Sequence, residues 1–191
     1  MNSDRRNRAI VILVLLGAIV LGWYFLSYGN PLVGTGTTGI RFLGAAATVE
    51  SDYVVPPMER DYRNDTFRFE LKLPQGFTAS ELPNDGVGTP VVLQDAAGNG
   101  IQIYVSDVEG TPKTLSEADI RASIPDMKVE NAQAVEIGTG NTGVAFMSDS
   151  PDFGGASREV WFYFDGKLYQ VSTYARLDNL LQAMFSSWQF Y

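Results

Sequence analysis

Residues 159–174 read EVWFYFDGKLYQVSTY and carry the pattern of a β-hairpin. Aromatic and β-branched residues, which favour strands, stand on both sides of Asp165-Gly166. That dipeptide suits a two-residue type I′ turn, because both turn positions need a positive φ. A two-residue loop sets Phe164 opposite Lys167, and the register of the remaining cross-strand pairs follows from that pair.

Both faces of this hairpin are apolar in the predicted register. One face carries Val160, Phe162, Tyr169 and Val171, and the other carries Trp161, Tyr163 and Leu168. A strand pair of that kind is usually central in its sheet and covered on two sides. We therefore expect helices to lie on the sheet as well as beside it, one of them over Trp161 and Tyr163. If Trp161, Tyr163 and Leu168 are open instead, they form a candidate surface for a partner or ligand.

The flanking sequence predicts further strands and two helices. Residues 66–73 alternate apolar and polar side chains, which is typical of a half-buried strand. Ser116 and Asp119 predict a capping box for a short helix that Pro125 ends. Two more hairpins join 91–94 to 101–105 and 135–137 to 144–147, and a closing helix carries the apolar stripe Leu177, Leu180, Leu181, Met184, Phe185 and Trp188. The predicted fold class is α+β, an antiparallel β-sheet flanked by helices.

The order of these motifs resembles that of PsbP-like and Mog1-like domains. The matching features are the opening strand and turn FRFELKLPQGF at 67–77, the hairpin WFYFDGKLY at 161–169, and the closing helix at 177–190 with its Ser-Trp-x-Phe end. The resemblance covers about residues 60–191 and implies an antiparallel sheet flanked by helices. Plant members of the PsbP family assist photosystem II, but no ion-binding residues of the family can be matched in this chain.

An apolar segment near the N-terminus predicts that one transmembrane helix precedes the domain. No charged residue interrupts the chain from Ala9 to Leu26. A helix of that length spans about 27 Å at ~1.5 Å per residue, close to the thickness of a bilayer core. Trp23 and Tyr24 lie at its far end, where aromatic rings favour the headgroup level. We therefore predict a transmembrane signal anchor at residues 9–28, held by membrane lipid.

The distribution of basic residues sets the predicted orientation of this anchor. Three arginines lie within residues 1–8, and no Lys or Arg follows until Arg41. The positive-inside rule keeps the tail 1–8 in the cytoplasm and the rest of the chain outside. A cleaved signal peptide is the alternative, which is less favoured because the nearest cluster of small residues, 45–47, lies far downstream. The prediction is a single-pass protein of the inner membrane with an extracytoplasmic C-terminal domain.

A linker is predicted between the anchor and the domain. Residues 29–58 are rich in Gly and Pro and show no sustained period, whereas residues 59–191 carry the strand and helix patterns. The linker contains one short apolar run, Ile40–Leu43. Such a run in a tether is typically locally collapsed chain, and packing on a partner or on the bilayer surface is the alternative.

Composition narrows the classes of function. The 191 residues carry a net charge of -8 and include neither Cys nor His. An acidic surface repels phosphate backbones, so nucleic-acid binding is not expected. Cys-His and Ser-His-Asp catalysis cannot be assembled without these residues, which leaves Ser-Lys or carboxylate-pair chemistry. We expect no catalytic residues, no cofactor and no metal site.

The acidic loop at 149–155 is the remaining candidate site. Asp149 and Asp152 could offer carboxylates to Ca²⁺, but that ion takes six to eight oxygen ligands, and two acids supply too few. The leading hypothesis is therefore a membrane-anchored, extracytoplasmic accessory or protein-binding module without catalytic activity, with a protein partner in the cell envelope. The alternative is a small-ligand or divalent-ion binding domain that uses this loop or a groove beside Trp161. A hydrolase is the third hypothesis.

Overall fold

The strands of the protein form two antiparallel sheets in a computed structural model that describes residues 39–43, 53–138, 140–150 and 155–191. The larger sheet has eight strands in the order β1-β7-β8-β9-β10-β6-β5-β4, and the smaller has three in the order β11-β3-β2. The strands are β1 Ile40–Leu43, β2 Met58–Asn64, β3 Phe69–Pro74, β4 Thr78–Glu81, β5 Gly88–Gln94, β6 Gly100–Asp107, β7 Glu130–Ile137, β8 Asn141–Ser150, β9 Gly155–Phe164, β10 Lys167–Tyr174 and β11 Gln189–Phe190.

The predicted hairpin is the centre of the larger sheet. β9 and β10 pair antiparallel with Phe164 opposite Lys167, which confirms the predicted register. Asp165 and Gly166 adopt φ values of 48° and 72°, as a type I′ turn requires. The two flanking hairpins are also present, as β5–β6 and β7–β8.

One face of the large sheet packs on the small sheet and on the closing helix. Helix α2, which is Asp178–Phe185 and follows a 3₁₀ turn at Ala175–Leu177, turns its predicted apolar stripe into this core. Phe69 from β3 stacks on Trp188 with ring centroids 4.5 Å apart. The Tyr169 hydroxyl donates a hydrogen bond to the carbonyl of Phe67 at 2.8 Å. This main core therefore joins both sheets.

The opposite face carries a smaller, separate core. The connection from β6 to β7 crosses this face, and its one helix, α1 (Glu117–Ser123), begins at the predicted capping box. Ser116 accepts a hydrogen bond from the backbone N–H of Asp119, and the Asp119 carboxylate accepts one from the backbone N–H of Ser116. The side chains that form this second core are Leu115, Ile120, Ile124, Val129, Val144, Phe146, Trp161 and Leu168.

The predicted fold class is wrong in what covers the sheet. We expected an antiparallel sheet flanked by helices, but within the described ranges the chain is mostly strand, and its two α-helices have seven and eight residues. The small sheet provides much of the cover on one face, and the β6–β7 connection provides it on the other. Apolar side chains on both faces of a hairpin show that each face must be covered, and they do not specify the element that covers it.

The predicted anchor at 9–28 lies outside the described residues. Within the part of the chain that the structure describes, no helix has the length and apolar character needed to cross a bilayer. Part of the predicted linker does fall within that part. Ile40–Leu43 forms β1 and pairs with β7, so the sheet includes chain that precedes residue 59.

Candidate functional site

The aromatic face of the central hairpin contributes to the second core. Trp161 is 5% exposed and Leu168 is 6% exposed, and Tyr163 is half-buried against the same cluster. Ile120 of α1 belongs to that cluster, and the ring of Phe146 meets that of Trp161 edge-on with centroids 5.6 Å apart. The structure therefore brings these three hairpin residues together in a covered position, where a partner would reach Tyr163 before it reached the other two.

Next to Trp161 on the same face, a buried carboxylate is surrounded by hydrogen-bond donors. Glu159 is 3% exposed. Its Oε1 accepts a hydrogen bond from the Ser157 hydroxyl at 2.7 Å, and its Oε2 accepts one from the Ser172 hydroxyl at 2.6 Å and one from the Trp161 indole N–H at 3.1 Å. A carboxylate can accept on several lone pairs, and these donors occupy positions that a ligand would need. These hydrogen bonds give Glu159 a structural role in the sheet.

A buried ion pair lies on the other face of β9. The Arg158 Nε and the Asp178 Oδ1 are 3.1 Å apart, and the two side chains are 1% and 2% exposed. The Gln182 side chain donates to the other oxygen of Asp178 at 2.7 Å. The Arg158 guanidinium also lies 5.8 Å from the ring centroid of Phe42, within the range of a cation–π contact. These contacts link the central sheet to the start of α2 and to β1.

Sequence reasoning missed both of these polar groups. Their signal is the pair Arg158-Glu159 at the start of an apolar strand, because consecutive side chains of a strand point to opposite faces. The alternation that assigns Val160 to one face and Trp161 to the other also places Arg158 on the face of Val160 and Glu159 on the face of Trp161. Partners such as Ser172 and Asp178 lie in other elements and cannot be identified without the register.

The acidic loop is only partly described. Asp149 is an exposed residue of β8, and its Oδ2 accepts a hydrogen bond from Lys128 Nζ at 2.7 Å. This hydrogen bond is the main cause that raises the pKa of Lys128. Asp152 lies outside the described residues. Within the described ranges, no three acidic side chains come together as metal ligands. The observed contact of Asp149 is therefore an ion pair.

A second acid holds the turn between β4 and β5. Asp85 accepts hydrogen bonds from the backbone N–H groups of Val87 and Gly88 at 2.9 and 3.0 Å, and from the Tyr104 hydroxyl at 2.8 and 2.9 Å. Burial favours the neutral acid, but these donors outweigh it and lower the pKa of Asp85. Burial, together with the hydrogen bond to Asp85, raises the pKa of Tyr104. The hydroxyl of Tyr104 and the carboxylate of Asp85 are thus hydrogen-bond partners within the fold.

The edge of the large sheet at β7 presents a different kind of feature. β1 covers half of this edge, with Ile40 opposite Ile137 and Leu43 opposite Ala134. Gly138 donates its backbone N–H to the carbonyl of Gly39 at 2.9 Å. Ile40 and Phe42 also pack on the main core, so β1 is attached through its side chains as well as through its backbone.

Comparison with known proteins gives a structural point of reference. Neither a protein-family model nor a curated protein matches the chain. Among solved structures, the chain is similar to cyanobacterial PsbP from Synechocystis sp. PCC 6803, known from a solution structure. The identity is 15% and the TM-score 0.48, over 85% of this chain and 98% of that one. This similarity assigns neither a function nor residue roles to the chain, and the resemblance to Mog1-like domains stays a prediction.

Proposed function

We propose that the protein is a non-catalytic, protein-binding accessory module, displayed outside the cytoplasm by the N-terminal segment 9–28. The observation that carries the proposal is the state of the buried polar side chains. Glu159 and Asp178 each accept hydrogen bonds from neighbouring side chains of the fold. Groups held in this way stabilise a scaffold, and the surface and the sheet edges are then the parts available to a partner.

The chemistry of the surface supports a protein partner. The acidic net charge of -8 disfavours nucleic acid and anionic lipid headgroups as ligands of the domain. The charge pattern before residue 9 favours display outside the cytoplasm. A small-ligand or ion-binding role is less well supported, because Asp149 is paired with Lys128 and Trp161 lies in a core.

Affinity capture with the full chain tests this proposal. Membranes that contain the tagged protein are briefly cross-linked and then solubilised in mild detergent. The amounts of the co-purifying proteins are measured relative to that of the tagged protein. We expect at least one protein in near-stoichiometric amount, absent from capture with an unrelated acidic single-pass protein. Recovery of the bait alone, or a specific turnover by the purified chain in a broad substrate screen, would contradict the proposal.

A further inference from the structure

The β5–β6 hairpin contains the one Asn-Gly pair of the sequence, Asn99-Gly100. In such a pair the backbone nitrogen of the glycine readily attacks the asparagine side-chain amide, because glycine has no side chain to hinder the attack. The fold requires this glycine. A Cβ added at Gly100 would overlap the Leu93 carbonyl oxygen and lie 2.8 Å from the Gln94 Cα. The close approach of β5 and β6 therefore places a chemically labile dipeptide at the end of the hairpin.

The Asn99 side chain is held at both of its polar atoms. Its Nδ2 donates a hydrogen bond to Asp95 Oδ2 at 2.9 Å, and its Oδ1 accepts one from Arg176 Nη2 at 2.7 Å. The backbone N–H of Asn99 donates to the other oxygen of Asp95 at 2.7 Å. One carboxylate thus binds the side chain and the main chain of the same residue. Arg176 approaches from the 3₁₀ turn that follows β10.

These contacts oppose the displacement that deamidation needs. The Gly100 nitrogen must first come within about 3–3.5 Å of the Asn99 Cγ in an attacking orientation. As the new bond forms, the Cγ moves towards the nitrogen and changes from planar to tetrahedral, which pulls Oδ1 and Nδ2 away from their partners. The positive charge of Arg176 also polarises the amide carbonyl, which favours attack. A carbonyl that is held away from the nitrogen gains nothing from that polarisation.

We propose that Asn99 is a spontaneous deamidation site, and that Asp95 and Arg176 keep it in the amide form while the hairpin is closed. In the reaction the Gly100 nitrogen loses its proton and bonds to the Asn99 Cγ, and the bond from Cγ to Nδ2 breaks. Nδ2 leaves as ammonia. Water then opens the succinimide ring at either carbonyl carbon, which gives aspartate or isoaspartate. The reaction follows local opening of the hairpin and does not depend on a partner.

Deamidation rates of the full chain in detergent micelles test this proposal. The chain is incubated at mildly alkaline pH, and mass spectrometry of proteolytic peptides follows the replacement of ammonia by water at Asn99. We expect the folded chain to react at least tenfold more slowly than the same chain unfolded in urea. Arg176→Met and Asp95→Asn should each raise the rate in the folded chain at least threefold. Asp95→Asn keeps an oxygen for the Asn99 N–H and loses the acceptor of its side-chain amide.

Arg41→Met is the matched control. It removes an exposed arginine from β1, at the opposite end of the large sheet, and should leave the rate unchanged. Asn84, in the turn between β4 and β5, reports general unfolding within the same sample. A rise at Asn99 that Asn84 does not share supports the proposal. Similar rates in the folded and unfolded chain, a rate that fails to rise in Arg176→Met or Asp95→Asn, or an equal rise at Asn84 or in Arg41→Met would overturn it.

Discussion

At the scale of single residues, the buried pair of Arg158 and Asp178 gives the sharpest prediction. Arg158→Met leaves the Asp178 carboxylate buried with only part of its compensation. Removal of one partner of a buried pair typically costs about 3–5 kcal/mol. We expect a loss of that size in the free energy of unfolding, measured by urea denaturation.

The matched control removes both charges. In the double variant Arg158→Met/Asp178→Leu no buried charge is left without its partner, so its loss should be smaller than that of Arg158→Met alone. The contact between Arg158 and Phe42 is absent from both variants and cancels in the comparison. A single variant within about 1 kcal/mol of the unaltered chain would show that the pair does not stabilise the fold as described.

Two substitutions of Glu159 are expected to lower the free energy of unfolding by different amounts. Glu159→Ala leaves the hydroxyls of Ser157 and Ser172 and the indole N–H of Trp161 without their acceptor. Each unsatisfied buried donor costs about 1–3 kcal/mol. Glu159→Gln keeps the shape and one oxygen acceptor, so it should lose less stability than Glu159→Ala. Equal losses, compared by urea denaturation at neutral pH, would contradict the structural role.

Asp85 predicts part of the response to acid. Burial opposes its charge, but hydrogen bonds from Gly88, Val87 and Tyr104 lower its pKa below the ordinary value of 3.8. A carboxyl group with a lowered pKa stabilises the fold above its unfolded pKa, and that contribution is lost as pH falls through the folded value. Because Asn does not titrate, the advantage of the unaltered chain over Asp85→Asn should shrink between about pH 6 and about pH 3.

Denaturation at a series of pH values measures this difference, and Tyr104→Phe is its control. The variant removes the hydroxyl donor to Asp85 and keeps the ring on the sheet. In Tyr104→Phe the pKa of Asp85 should lie closer to the ordinary value. The stability of this variant should therefore fall less steeply with acid than that of the unaltered chain. A difference in stability between the unaltered chain and Asp85→Asn that stays constant at all pH values would show that the pKa of the Asp85 carboxyl group does not change on folding.

At the scale of elements, the contact between β8 and β9 depends on a glycine. A Cβ at Gly143 would lie 2.4 Å from the Trp161 carbonyl oxygen and 2.5 Å from the Phe162 Cβ. Crowding of a packed site typically costs about 1–3 kcal/mol. We therefore expect Gly143→Ala to lower the thermal midpoint more than Gly39→Ala, whose Cβ would lie at an ordinary contact distance of 3.5 Å from the Trp188 carbonyl oxygen. The reverse order would contradict the close strand contact.

The strands were more predictable than the layers. The register of the central hairpin follows from Asp165-Gly166, since a two-residue turn fixes each later pair by local geometry. The capping box at Ser116 is likewise local. What lies over Trp161 depends on contacts between segments far apart in sequence, which no local pattern encodes. The strand at Ile40–Leu43 was interpreted as collapsed linker because four residues show too short a period to identify.

At the candidate site, too, local patterns were readable from the sequence and contacts between distant segments were not. The alternation of β9 already contained the opposite placement of Arg158 and Glu159, but the interpretation was based on the apolar residues that follow them. Asp149 was considered as an ion ligand because its loop is acidic. Its pairing with Lys128 joins two positions that are separated by the whole β7–β8 hairpin, so sequence spacing could not reveal it.

At the scale of the whole molecule, two cores lie on opposite faces of one sheet, and polar groups are held within them. Such a scaffold offers a partner its surface and its strand edges. Cross-linked affinity capture of the full chain from native membranes, compared with capture of an unrelated acidic single-pass protein, tests the proposed binding role most directly. We predict a near-stoichiometric protein partner that is absent from the control capture. Recovery of the bait alone would contradict the proposed role.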